Sequence, residues 1–132
     1  MTRTTLAAIG ILTALALPAL ASGDAAKGEK VFNKCKACHA VGEGAKNKVG
    51  PELNGLIGRP AASVADFKYS DAMTAKGAEG MVWDEETLKA YLADPRGVVK
   101  GTKMTFAGLK KEDEIEDVIA YLDQFNADGT MK

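Results

Sequence analysis

The chain has little of what most functional readings require. It holds one histidine, two cysteines and one tryptophan in 132 residues. Both cysteines and the histidine fall in one short stretch, so no second Cys/His pair exists to complete a four-ligand zinc site. Seventeen basic and 18 acidic residues give a formal charge of −1, without the basic excess that marks a nucleic-acid binder. Beyond the first 21 residues, no apolar run approaches the roughly 20 residues of a membrane span. That region also offers no strong strand candidate, which disfavours a βαβ redox domain. No internal repeat or low-complexity segment is visible.

What is present begins at the N-terminus. Arg3 precedes the apolar run LAAIGILTALALPALA, which ends in Ala19-Leu20-Ala21. A basic start, a short apolar stretch and a small-x-small ending predict a secretory signal peptide over residues 1–21. The rival is an uncleaved anchoring helix, opposed by Pro18 and by the shortness of the run. Cleavage leaves residues 22–132 as one domain. It removes Arg3 from the 17 basic residues, so 16 face 18 acidic ones and the formal charge becomes −2. A domain of this size has a limited core, which a large apolar cofactor would extend.

The chemistry concentrates in CKACHAVGEGAKNKVGPELNG, residues 35–55. Cys35, Cys38 and His39 form Cys-x-x-Cys-His, the pattern of covalent c-type haem attachment. Two thioethers would hold the haem edge, and His39 would reach the iron from one face. In an exported chain the pair has a rival in a Cys35–Cys38 disulfide. A thioredoxin-like motif, however, belongs at a strand-to-helix junction, which this chain does not offer.

The expected fold is all-α, with three main helices, shorter ones and long loops. GDAAKGEKVFNKCKACH predicts the first helix, with Asp24 capping its start and Val31, Phe32 and Cys35 sharing one face. Gly28 weakens that helix by about 1 kcal/mol relative to alanine, and is either tolerated or admits another backbone. Residues 42–60 hold five glycines and two prolines in 19 positions, a loop long enough to be functional. A short helix is expected at 70–76, beginning at Ser70 or Asp71. WDEETLKAYLAD predicts a helix capped by Asp84, acidic in its first turn where the dipole favours it. Leu88, Tyr91 and Leu92 form its apolar face, and Pro95 ends it. RGVVKGTKMTFAGL, residues 96–109, is a second glycine-punctuated loop. KKEDEIEDVIAYLDQF places Ile115, Val118, Ile119 and Leu122 at i, i+3, i+4 and i+7, an amphipathic last helix.

A haem iron held by His39 takes its function from its opposite face. Methionine or histidine there closes the site and leaves electron transfer, whereas an open position invites oxygen, peroxide or gas chemistry. There is no second histidine. The methionines beyond residue 21 are Met73, Met81, Met104 and Met131. Met104 lies in the middle of a glycine-flanked loop, Met73 and Met81 in or beside short structured segments, and Met131 in the tail. Spacing favours Met104 without deciding the choice.

GDAAKGEKVFNKCKACHAV, GPELNGLIGR, WDEETLKAYLADP, GTKMTFAG and DVIAYL follow one another in the order and approximate spacing of class I cytochromes c. Over roughly residues 23–125 the chain resembles both the bacterial cytochromes c2 and the mitochondrial protein. The resemblance implies a small single-domain cytochrome c fold wrapped around one covalent haem c. It implies attachment through Cys35 and Cys38, with His39 as proximal and Met104 as distal iron ligand. Pro51 matches the proline whose carbonyl accepts from the proximal histidine. Arg59, Tyr69 and Trp83 match positions that hold or neutralise the haem propionates, and Tyr91 and Thr102 match groups beside the methionine and the haem edge. Gly28 and Phe32 match first-helix positions that pack on the last helix at Tyr121. One departure is Met73, where the family often has an asparagine in a buried water network.

The implied function is one-electron shuttling rather than enzymatic turnover. Electrons would come from a bc1-type complex and go to an oxidase, a photosynthetic reaction centre or a periplasmic reductase. The carrier is expected to be periplasmic, monomeric and without a membrane span once cleaved. Lys34, Lys36, Lys46, Lys48, Lys103, Lys110 and Lys111 lie in segments expected to border the haem edge, while acidic residues gather at 84–86 and 112–117. Steering toward acidic redox partners is therefore predicted despite the slightly negative total charge. The alternative is a haem peroxidase or gas sensor with an open distal site, opposed by the lack of an acid/base residue in that loop. A haem-free domain with a Cys35–Cys38 disulfide is opposed by two long loops with nothing to pack on.

Overall fold

The computed structural model describes residues 10–11 and 23–132. The expected signal segment, apart from Gly10 and Ile11, lies outside the described residues. Among the described residues five helices follow in order: α1 Ala25–Phe32, α2 Asp71–Ala78, α3 Glu85–Ala93, α4 Pro95–Val98 and α5 Glu112–Asp123. Among the described residues there is no strand, only isolated bridges between Pro60 and Val82 and between Phe125 and Met131.

Polar side chains set most of the helix starts. Asp24, Ser70 and Asp84 accept from the backbone N–H of Lys27, Met73 and Thr87 at 3.1, 3.0 and 2.7 Å. Each satisfies one of the donors that a helix N-terminus leaves unpaired. Pro95 ends α3 and opens α4, because at a first helical position its missing N–H has no bond to lose. Helix α5 starts without a side-chain cap, its first turn carrying Glu112, Asp113 and Glu114, where the dipole favours acidic groups.

Helix α1 is shorter than the sequence suggests, ending at Phe32. The chain continues as tight turns, in which Cys35 and Lys36 donate to the Phe32 carbonyl, and Cys38 and His39 to that of Cys35. None of residues 33–40 is fully buried, so no apolar face holds a longer helix in place.

The core forms where α1 crosses α5. Val31 and Phe32 are buried against a wall that includes Ile115, Val118, Ile119 and Leu122. The Phe32 and Tyr121 rings lie 5.5 Å apart, and Phe125 meets Tyr121 edge-on at 5.3 Å. Gly28 sits at the crossing, where any side chain would overlap the Asp117 backbone. That close approach explains a glycine that local helix propensity does not. Helix α3 packs on α5, adding Leu88 and Tyr91 to the core. Full burial of such a side chain contributes about 1.5–3 kcal/mol.

The loops reach the same core. Leu56, Val99 and Leu109 are buried in it, and Leu53, Ile57, Met104 and Phe106 pack against it. A few long-range backbone bonds hold them there. Leu53 donates to Ala40 at 2.9 Å, Leu109 to Leu92 at 2.8 Å and Trp83 to Arg59 at 2.9 Å.

Candidate functional site

The turn after α1 presents Cys35 and Cys38, both half-buried and unbridged. Burial pushes the Cys35 thiol up, opposed by the Lys34 charge and assisted by Cys38. A thiol kept protonated is a weak nucleophile for disulfide exchange, which weakens the redox-thiol reading.

His39 is oriented by the 42–60 loop. Its Nδ1 lies 2.7 Å from the Pro51 carbonyl oxygen. A carbonyl can only accept, so Nδ1 carries the proton and Nε2 keeps its lone pair. Burial lowers the imidazole pKa; the Pro51 bond opposes this, and the Arg59 and Lys48 charges lower it further. The ring is therefore a neutral donor with one nitrogen committed and the other available. Gly50 donates its N–H to the Cys38 carbonyl at 2.8 Å, bringing the next residue, Pro51, onto the ring. A side chain at position 50 would occupy the His39 ring itself.

Met104, Tyr91 and Thr102 meet on the other long loop and α3. The Tyr91 hydroxyl donates to the Met104 sulfur at 3.8 Å and lies 3.4 Å from the Thr102 hydroxyl. Thr102 Oγ1 accepts the Met104 N–H at 3.3 Å. Burial pushes the Tyr91 phenol up, with the Thr102 bond opposing, so it remains a donor. Trp83 lies behind it, with ring centroids 4.8 Å apart.

Arg59, Tyr69 and Trp83 are less tightly gathered. Arg59 Nη1 donates to the Glu52 and Asn54 carbonyls at 3.0 and 3.1 Å and lies 3.5 Å from the Glu52 carboxylate. Its Nε is buried without a partner. The Tyr69 hydroxyl accepts the Val64 N–H at 3.0 Å, and its ring stands edge-on to Phe67. Met73, which departs from the family pattern, is buried on α2.

Sequence reasoning passed over Asn54, one of two buried polar side chains among the described residues, the other being Ser70. Its amide accepts the Gly42 N–H at 2.8 Å and donates to the Gly42 carbonyl at 2.9 Å. Locally it reads only as a turn residue beside a glycine, since its partner lies twelve residues away.

These groups fit a covalent haem. They include two unbridged thiols, an imidazole nitrogen with a free lone pair, and a soft thioether. The unpartnered Arg59 Nε suits an anionic oxygen, because a buried donor left unpaired costs stability. Among the described residues no three His, Cys, Asp or Glu side chains stand close enough to cage a bare metal ion.

Comparison with known proteins gives a consistent result. The family described as Cytochrome c matches residues 25–126. Cytochrome c-550 of Ancylobacter novellus is 61% identical over 105 residues, which cover 80% of this chain and 98% of that protein. Cytochrome c2 of Blastochloris viridis is 51% identical over 122 residues, covering 92% and 93%. The solved structure of cytochrome c2 from Rhodospirillum centenum superposes with a TM-score of 0.76 at 45% identity, covering 79% of this chain and 99% of that one.

Proposed function

The chain belongs to the class I c-type cytochromes, and from that premise we propose how its own residues perform the family's task. It is a one-electron carrier, not an enzyme, and it holds haem c through Cys35 and Cys38. We assign His39 Nε2 and Met104 Sδ as the atoms that would hold the haem iron. The observation that carries the assignment is the 2.7 Å hydrogen bond from His39 Nδ1–H to Pro51, which leaves a neutral nitrogen lone pair with no other task.

Haem c supplies an iron that gains and loses one electron. The Pro51 carbonyl fixes the His39 tautomer and raises its basicity. Met104 offers a soft, neutral sulfur, which favours the lower iron charge and raises the reduction potential. Tyr91 donates to that sulfur and holds it in place. The buried Trp83 ring, packed on Tyr91, keeps the surroundings apolar, where added positive charge is costly. Arg59, with Tyr69 and Trp83, is assigned to the propionates. With His39 and Met104 both engaged as assigned, no iron position would stay open to oxygen or peroxide, which counts against the peroxidase and gas-sensor alternative.

Its partners are redox proteins. The finer reading is a bc1-type donor and an oxidase, reaction centre or periplasmic reductase as acceptor, met through an interface of less than about 1,200 Å². All seven lysines named for the haem edge are exposed. Lys34, Lys110 and Lys111 border one cleft of about 340 Å³ with Phe106 and Glu114, the last ion-paired with Lys34 at 3.4 Å, and Lys36 and Lys48 border another of about 370 Å³ with His39 and Glu29. Lysines outnumber carboxylates on both linings, by three to one and two to one, which supports a basic docking rim. Residues 1–21 are assigned as a cleaved signal peptide, and residues 22–132 as a monomeric periplasmic domain. Among the described residues no helix is long and apolar enough to cross a membrane.

The test is the visible spectrum of the purified protein and of Met104→Ala. The wild type should be low-spin with a methionine-to-iron charge-transfer band at the red end. The variant should lose that band, and its potential should fall by on the order of 100 mV, within the roughly 0.8 V that axial ligands command. An unchanged spectrum and potential in the variant would remove Met104 from the iron.

A further inference from the structure

We propose that Asn54 is a positioning residue for the proximal histidine: by clasping Gly42 it closes the loop that sets the Pro51 carbonyl on His39, and the C-terminal turn locks that clasp from outside. The inference rests on the assignment of His39 as an axial ligand and extends it to residues that touch neither ligand.

The loop from Gly42 to Asn54 is poor in regular structure, and such a segment is costly to hold closed. The double hydrogen bond between the Asn54 amide and both backbone groups of Gly42 joins its two ends. Asn54 is only 6% exposed, so these bonds are shielded from water, and losing one partner would leave buried groups unpaired. Inside the clasp the chain is braced on both sides of Pro51. Gly50 donates to the Cys38 carbonyl at 2.8 Å, and Glu52 donates to Asn47 Oδ1 at 2.9 Å. The Asn54 N–H donates to the Glu52 carboxylate at 2.7 Å.

A second layer covers the clasp. Residues 126–130 form a turn in which Asn126 donates to the Thr130 carbonyl at 2.8 Å and Gly129 to that of Asn126 at 2.9 Å. The Gly129 backbone abuts that of Gly42, and Ala127 abuts Gly55. Gly55 also donates its N–H to the Phe125 carbonyl at 3.1 Å. The tail thus presses on both ends of the loop at the points Asn54 ties together.

The bond from His39 to Pro51 makes the imidazole a stronger donor to iron. Loosening the loop lengthens that bond, weakens the donor and favours Fe(II). The experiment uses the mature haem-loaded protein and measures its midpoint potential, with the exchange rate of the His39 Nδ1 proton by NMR. Asn54→Ala should raise the potential and speed that proton's exchange about tenfold, as expected when roughly 1.4 kcal/mol of local closure is lost. Removing residues 126–132 leaves Asn54 in place and should move both readouts in the same direction. An Asn54→Ala protein that is less stable but keeps wild-type potential and proton exchange overturns the proposal. If that variant fails to take up haem, a truncated protein with unchanged readouts overturns it equally. A wild type without the methionine–iron band refutes the ligand assignment instead, and that spectrum is recorded first.

Discussion

The Tyr91 hydroxyl donates to the Met104 sulfur across 3.8 Å, while the Thr102 hydroxyl, 3.4 Å from the same oxygen, also accepts the Met104 N–H. If Met104 binds iron as proposed, a donor on its sulfur would drain electron density from the ligand and so favour Fe(II). Tyr91→Phe should therefore lower the midpoint potential while leaving the haem low-spin. About 1 kcal/mol of hydrogen bonding corresponds to ~40 mV for one electron, and the fall should be of that order or smaller. Protein-film voltammetry measures it.

Gly28 meets the Asp117 backbone where α1 crosses α5. Substitution by alanine gains helix propensity but forces the two helices apart. The second effect should win, because the obstruction is backbone and cannot rotate away. Gly28→Ala should lose about 1–3 kcal/mol or more in denaturant unfolding, whereas alanine at the exposed Lys30 should change little.

Asp84 caps α3, and its bonds to the Thr87 backbone and then to the Thr87 side chain hold its carboxyl below the usual aspartate range. Because the folded pKa is depressed, the cap's stabilisation is complete above the unfolded value and disappears as pH falls through the folded one. Asp84→Asn keeps an acceptor without the titration. Its acid-unfolding profile should be flatter than the wild type's below the usual aspartate pKa, as thermal melts across pH would show.

The exposed lysines make a kinetic prediction. Oxidation by an acidic redox partner should slow several-fold as salt rises from about 10 to about 300 mM, since the screening length falls to about 10 Å by 0.1 M. Charge reversal at Lys36 or Lys110 should slow the low-salt rate and flatten the salt dependence. A rate independent of ionic strength would remove steering from the account.

Much of the helical frame was legible locally. Asp24, Ser70 and Asp84 are caps that need only the N–H groups three residues ahead. Ile115, Val118, Ile119 and Leu122 describe the buried face of α5 by their spacing alone. The end of α1 was less legible, because it depends on where burial stops rather than on the propensities of residues 33–38.

Residue order alone sets the available chemistry: two thiols and one imidazole in a fixed order, a glycine-flanked thioether, and helices whose caps and apolar stripes lie within a few residues of each other. Which atoms face one another follows from the folded chain. The Pro51 carbonyl meets His39 twelve residues back, Tyr91 meets Met104 thirteen residues on, and Asn54 closes on Gly42 beneath the C-terminal turn. Hydrogen bonds of this kind act over about 3 Å, so their partners are chosen by how the loops pack on the core, and no local propensity or periodicity encodes that choice.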